Sequence, residues 1–178
     1  MRVKFKKQYE KQSGFSLIEV MIAVLLLVIG LVAVAQLIPM SIRLNTANRN
    51  DSTALIFAQR ELDEFLDQPL TASSFTDPQG FACNLGNAAT PNVPVGSPVA
   101  LWNGQPIIDF SQAQVNGYSF NYKDANDPFR VTYDVRWAVV TYTNAGGAVT
   151  GRRFILGAVR RSGDAPILPV NLDTMVEK

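Results

Sequence analysis

The chain contains 178 residues with a net charge of +1, no histidine and one cysteine. This length fits one domain with additional N-terminal segments. Histidine is the commonest general base and metal ligand, so its absence argues against catalysis, and a single cysteine excludes an intrachain disulfide. We also find no phosphate-binding loop and no metal-ligand spacing. The sequence therefore predicts a protein that is not an enzyme and that has no cofactor and no metal site.

The first 14 residues are basic, and only Glu10 among them is acidic. Positive charge before an apolar segment keeps that end of the chain in the cytoplasm, so the C-terminal part is expected on the far side of the membrane. The rest of the chain is mildly acidic, and we therefore do not expect nucleic acid as a partner. The basic residues of this segment are Arg2, Lys4, Lys6, Lys7 and Lys11.

A long apolar segment follows. Every residue from Val20 to Ala35 is apolar or glycine, and only Gln36 interrupts before two further apolar residues. About 20 apolar residues in a helix cross the hydrocarbon core of a bilayer, so we predict a membrane helix over residues 15–40. Glu19 stands just inside this segment. A charge at the centre of such a helix costs about 2.5–3.5 kcal/mol and less near an end, which marks Glu19 as a functional candidate.

The residues around Glu19 form a specific pattern. Gly14 ends the basic segment, Phe15 follows, and Glu19 comes four residues later, at the start of the apolar run. This combination resembles the N-terminus of type IV prepilins over roughly the first third of the chain. Residues 15–22 read Phe-Ser-Leu-Ile-Glu-Val-Met-Ile, which matches the family pattern without a departure.

The resemblance implies how this end of the protein is processed and used. Residues 1–14 would be a leader peptide, and a prepilin peptidase of the inner membrane would cut between Gly14 and Phe15. Phe15 would become the N-methylated terminus of the mature chain. Glu19 would then neutralise the α-amine of Phe15, commonly that of a neighbouring subunit, during filament assembly. An ammonium and a carboxylate are each costly in lipid alone and much less so when paired.

Two other interpretations of the N-terminus remain. A secretory signal peptide could be cut before Gln36, after Ala33-Val34-Ala35, but the apolar run is long for such a peptide and Glu19 is charged. A single-pass anchor without processing is the other alternative.

A second, amphipathic part of the helix is predicted over residues 41–69. Its apolar residues are spaced mostly by three and four, and Pro69 ends it because the residue before a proline is disfavoured in a helix. Arg60 and Glu64 are expected to pair at i,i+4. The acidic residues Glu61, Asp63, Glu64 and Asp67 are expected on a solvated face. The apolar residues of this pattern are Leu44, Ala47, Leu55, Ala58, Leu62 and Phe65.

Gly30 and Pro39 lie inside the predicted helix and disfavour it locally. They are either irregularities that a membrane helix tolerates or, as the resemblance implies, the limits of a segment that loosens when subunits pack in a filament.

Residues 70–161 are predicted to form the globular head. Residues 70–116 are rich in turn-forming residues, with short strands at Val99–Trp102 and Ile107–Phe110. In pilins this region varies and decorates the filament surface. The head continues with alternating strands at 118–123 and 131–139, where a change of face near Val139 indicates a bulge or burial on both sides. A hairpin turn at Asn144–Gly147 returns the chain through residues 154–159.

The predicted fold is therefore α+β, with a long N-terminal helix packed on a small sheet of three or four mainly antiparallel strands. Residues 162–178 are expected to be an irregular tail. Cys83 lacks a histidine partner and is interpreted as a bystander. Four arginines flank the last strand and are interpreted as protection of a sheet edge rather than as a DNA-binding patch. They are Arg152, Arg153, Arg160 and Arg161.

Among pilin-like proteins the chain most resembles a minor pilin, because it lacks the disulfide of many major pilins. A pseudopilin of type II secretion shares these features, and a membrane-anchored binding protein that never polymerises is the alternative from another class. The expected partners are other pilin subunits, the prepilin peptidase and the inner membrane. The expected locations are the inner membrane, crossed once with the N-terminus in the cytoplasm, and a filament at the cell surface or in the periplasm.

Overall fold

The computed structural model describes residues 14–123, 131–161 and 169–177, without the side chains of residues 47 and 50. The chain divides into two compact units, Met1–Leu44 and Asn45–Lys178. The observed architecture is α+β, as predicted: one long helix contributes to both units, and the second unit adds antiparallel strands.

The helix α1 spans Leu17–Asp67 and is 51 residues long. It ends two residues before Pro69, in agreement with the prediction, and its helical backbone continues through Gly30 and Pro39. All its residues from Leu17 to Leu44 are exposed. Within the described ranges, α1 is the one helix long and apolar enough to cross a membrane.

The described residues also form nine strands. Five of them, β3, β6, β7, β8 and β9, build the main sheet, in which β3 and β6 both pair with one side of β7, and β8 lies between β7 and β9. All pairs are antiparallel. The remaining strands form two separate hairpins, β1–β2 and β4–β5. The strands are β1 Ser74–Thr76, β2 Ala82–Asn84, β3 Pro94–Gly96, β4 Val99–Trp102, β5 Gln105–Ile108, β6 Ser119–Lys123, β7 Thr132–Thr143, β8 Val149–Arg160 and β9 Val170–Glu177.

The turns that join these strands follow from short-range chemistry. Asn103 and Gly104 link β4 to β5 with φ angles of 49° and 78°, the left-handed backbone that a two-residue hairpin turn requires. At the predicted turn between β7 and β8, the side-chain Oδ1 of Asn144 accepts hydrogen bonds from the backbone N–H groups of Gly146 and Ala148. The prediction of a hairpin at Asn144–Gly147 is confirmed.

The core lies mainly between α1 and one face of the main sheet. Phe65 of α1 contacts Trp137 of β7 and Phe154 of β8, with ring centroids 5.1 Å and 5.4 Å apart. The opposite face of the sheet is covered in part by Ile108 of β5. The central strand β7 is therefore buried on both faces, which explains why its apolar alternation changes face near Val139. The larger cluster includes Ala54, Phe57, Ala58, Phe65, Tyr133, Val135, Trp137, Val139, Phe154 and Leu156, and the smaller one Ile108, Ala138, Val140 and Ile155.

The prediction of an irregular tail over residues 162–178 is wrong for Val170–Glu177, which form β9 against β8. Val170, Leu172 and Val176 alternate along β9 and pack against the core, a strand pattern that the nearby prolines obscured. Pro169 directly precedes the strand, where proline is tolerated because no ladder hydrogen bond is lost. Residues 162–168 lie outside the described residues.

Residues 70–116, predicted to be rich in turns, contain more strands than the sequence indicates. They include β1, β2 and β3 in addition to the two expected strands, and β5 occupies Gln105–Ile108 rather than Ile107–Phe110. Strands of three residues carry too little alternation to be distinguished from turns in a sequence.

Phe65→Ala should lower the free energy of unfolding by about 3–5 kcal/mol, because Phe65 is fully enclosed by aromatic rings and its removal leaves a cavity. The measurement is urea unfolding of the full chain in detergent, followed by circular dichroism. Leu101→Ala on β4 is the control, since Leu101 is 78% exposed, and it should change stability by less than about 0.5 kcal/mol. Equal losses in the two variants would contradict the described core.

Candidate processing and assembly site

The sequence of the first turn explains why α1 begins at Leu17. The backbone carbonyl of Ser16 accepts hydrogen bonds from the N–H groups of Glu19 and Val20, at 3.1 Å and 3.2 Å. The hydroxyl Oγ of Ser16 also accepts from the Glu19 N–H, at 3.3 Å. Ser16 is thus the N-cap of the helix, and Glu19 stands three residues later, the spacing of a capping box.

The bond between Gly14 and Phe15 lies immediately before this cap. Gly14, Phe15 and Ser16 have no helical or strand structure, and all three are exposed. The side chain of Phe15 is 82% exposed. A peptidase needs an accessible backbone, and the Gly14–Phe15 bond lies outside the helix among exposed residues.

Glu19 lies on the same side of the chain as Phe15. Both side chains border one shallow apolar groove, together with Val20, Ala23 and Leu27. The N-terminus of a helix carries a partial positive charge, which favours a carboxylate in the first turn and disfavours an ammonium. Cleavage before Phe15 would place an ammonium close to this end of α1, and Glu19 is the acidic residue of that first turn.

The comparisons with known proteins agree with this geometry. Residues 10–35 match the model of the prokaryotic N-terminal methylation motif, a range that contains Gly14, Phe15 and Glu19. The match supports a type IV prepilin-like precursor. No curated protein and no solved structure matches the chain.

The prepilin-like motif has general consequences. It implies processing by a prepilin peptidase and assembly with pilin subunits, and proteins that carry it are structural rather than catalytic. The exposed apolar part of α1 fits membrane anchoring, and the motif indicates a surface filament.

The acidic end of α1 differs from the prediction. Asp63 and Asp67 are exposed, but Glu61 is 0% exposed and Glu64 is half-buried. Glu61 follows Ala58 by three residues and precedes Phe65 by four, so it lies on the face of the helix that packs on the sheet. The helical spacing of Glu61 from Ala58 and Phe65 indicates this burial, whereas its charge favours exposure. The expected i,i+4 pair is present, with Arg60 Nε 4.0 Å from Glu64 Oε1, a distance that contributes little to stability.

Cys83 is the buried partner of Glu61. Its Sγ donates a hydrogen bond to Glu61 Oε1 at 3.4 Å. Burial, together with the negative charge of Glu64, raises the pKa of Glu61 to about 7. Burial and the neighbouring Glu61 raise the pKa of Cys83 well above the range of an ordinary thiol. A thiol that stays protonated is a poor nucleophile, so this environment agrees with the interpretation of Cys83 as a residue without catalytic chemistry.

Three of the four arginines near the last predicted strand are held by contacts within the protein. Arg152 is buried and donates to the backbone carbonyl of Ala72, and Arg153 forms a bidentate ion pair with Asp173 of β9. Arg161 pairs with the buried Asp134 at 3.3 Å. Side chains committed in this way do not form a free basic surface, which favours the structural interpretation over DNA binding.

Native Cys83 should react with a thiol reagent such as DTNB at pH 8 at least roughly tenfold more slowly than the same chain in urea, because burial and Glu61 suppress the thiolate. A matched control is Ser111→Cys in a Cys83→Ser background, since Ser111 is exposed, and its thiol should react quickly without urea. Rapid labelling of native Cys83 would contradict the described environment.

Proposed function

We propose that the protein is a minor pilin, a low-abundance subunit that is cut between Gly14 and Phe15, methylated at Phe15, and assembled into a type IV pilus or at its tip. The observation that carries this proposal is the position of the motif. The Gly14–Phe15 bond is exposed and lies directly before the helix cap at Ser16, and Glu19 borders the same groove as Phe15.

The apolar part of α1 is compatible with assembly as well as with anchoring. Its side chains are apolar on all sides from Val20 to Ala35, and all of these residues are exposed in the part of the chain that the structure describes. A helix of this kind requires lipid or other apolar helices around it. A bilayer satisfies this requirement before assembly, and the equivalent helices of neighbouring subunits satisfy it in a filament.

Glu19 would neutralise the new α-ammonium during assembly, a role that a plain membrane anchor does not require. Cleavage creates an α-ammonium at Phe15, which the positive end of the helix disfavours. A charge that is buried without a partner costs far more than a pair does. In a filament of parallel, staggered helices, Glu19 of one subunit can reach the amine of the next subunit, so the pair both neutralises the two charges and fixes the axial position of the subunits.

Glu19→Ala should remove the protein from the sheared filament fraction while leaving it in the membrane. Breaking a buried charge pair costs about 3–5 kcal/mol, which predicts a decrease in incorporation of at least about 100-fold. The control is Asp51→Ala, which removes an exposed acid from the same helix outside its apolar part and should leave incorporation unchanged. Quantitative immunoblots of membrane and filament fractions measure both effects.

Unchanged incorporation of the Glu19 variant would contradict the role of Glu19. The assembly with which the wild-type protein copurifies distinguishes a type IV pilus from a type II secretion system. Recovery with sheared pili is expected of a minor pilin, whereas recovery with a type II secretion complex would identify a pseudopilin instead. Membrane protein found in neither assembly would favour an anchored binding protein.

A further inference from the structure

Three carboxylates meet where the end of α1 contacts the first hairpin. Glu61 and Glu64 lie one turn apart on α1, and Asp77 lies in the turn between β1 and β2. One carboxylate oxygen of each residue lies within 4.8 Å of those of the other two. All three residues belong to the second unit of the chain.

Each of these carboxylates has an oxygen without a hydrogen-bond partner. Glu61 Oε1 accepts from Cys83 and Asp77 Oδ1 accepts from the N–H of Phe81, but the second oxygen of each residue is buried and unpartnered. The same is true of Glu64 Oε2. Glu61 is 0% exposed and Asp77 is 3% exposed, so bulk water does not solvate these oxygens. An unsatisfied buried acceptor is costly, and more so when it is charged, which indicates that a ligand belongs here.

The neighbouring cation Arg60 does not fill this role. Its Nε is 4.0 Å from Glu64 Oε1, and its NH2 group donates to the side chain of Gln79 at 2.7 Å. Its guanidinium lies over the ring of Tyr122, 4.9 Å from the ring centroid. Arg60 therefore sits beside the cluster and faces Glu64, and one cation at this distance leaves most of the negative charge of three carboxylates uncompensated.

We propose that Glu61, Glu64 and Asp77 bind one divalent cation of the calcium type. Calcium takes oxygen ligands at about 2.3–2.6 Å and can therefore join two oxygens that are up to about 5.2 Å apart, a limit that includes the separations in this cluster. Magnesium demands near-ideal octahedral geometry, retains several waters and is usually held by one or two carboxylates, so a cluster of three protein carboxylates suits it less well than calcium. The thiol of Cys83 already donates to Glu61, which leaves a ligand set of oxygens alone.

The bound ion would connect two elements that are separated in sequence. The β1–β2 turn is closed locally by the Gly80 N–H, which donates to the carbonyl of Asp77 at 2.9 Å. A cation shared with Glu61 and Glu64 would fasten this turn to the last turns of α1. The site would thus stabilise the head at the C-terminal end of α1, independently of the cleavage and assembly of the N-terminus.

Calcium titration of the full-length protein in detergent, after treatment with EDTA and its removal, tests this site. Isothermal titration calorimetry should show one calcium site per chain. Saturating calcium should raise the midpoint of thermal unfolding by about 5 °C, because a ligand that binds only the folded state stabilises it. Magnesium at the same concentration should produce a clearly smaller shift.

Glu61→Gln and Asp77→Asn should abolish both the binding heat and the thermal shift, whereas Asp63→Asn should retain them because Asp63 is exposed on the same helix. Glu61→Gln keeps the shape of the side chain and removes a repulsive charge, so in EDTA this variant should be at least as stable as the wild type. Glu64→Gln, at a half-buried position, provides a second variant that should fold and bind calcium at least tenfold more weakly.

Two results would overturn the proposal. If the wild type shows neither heat nor a thermal shift with calcium, the carboxylates are balanced by protons and Arg60 alone. If Glu61→Gln, Glu64→Gln and Asp77→Asn all respond as the wild type does, calcium binds elsewhere on the chain. An equal response to magnesium would contradict the choice of calcium.

Discussion

The first part of α1 exposes a long apolar surface, which determines where the protein can be stable. From Leu17 to Leu44 its residues are exposed, and most are apolar. Such a surface is stable only in lipid or among similar helices, so this part of the protein requires a membrane or apolar neighbours. In the second part of the same helix, apolar residues are buried within the protein itself. Phe57, Ala58 and Phe65 pack against the main sheet.

Three features meet at the first turn of α1. Ser16 caps the helix, the Gly14–Phe15 bond lies among exposed residues directly before this cap, and Glu19 carries the negative charge. The cap fixes where the helix starts, so Phe15 lies just outside the helix and Glu19 lies in its first turn. A carboxylate at this end is favoured by the helix dipole before cleavage and can accept an ammonium partner afterwards. In the proposed function, the same residue thus serves the precursor and the assembled form.

Local patterns in the sequence predicted much of the fold. The apolar run and the spacing of residues 44–65 indicated a helix up to Gln68, and Asn144–Gly147 indicated the hairpin between β7 and β8. These features depend on residues close together in the chain. The sheet order, with β3 and β6 on the same side of β7, depends on long-range pairing that periodicity does not report. The strand β9 was missed because prolines outweighed the alternation of Val170, Leu172 and Val176.

The cluster of Glu61, Glu64 and Asp77 also depends on a long-range contact that local sequence patterns do not predict. Glu61 and Glu64 could be placed on neighbouring turns, but Asp77 joins them only because the β1–β2 turn folds back onto α1. This contact does not follow from the spacing of residues in the sequence, so the sequence alone predicted no metal site. The N-terminal motif, in contrast, is contiguous, and both the sequence and the match over residues 10–35 identify it.

We propose that cleavage at Gly14–Phe15 produces the terminus that Glu19 neutralises. The most direct measurement is the intact mass and N-terminal sequence of the protein isolated from membranes of a host with its own prepilin peptidase. We expect a chain that begins at N-methylated Phe15. A chain that begins at Gln36 would identify a signal peptide and an exported protein, and an intact chain from Met1 would identify an unprocessed anchor. Either result would contradict the proposed processing.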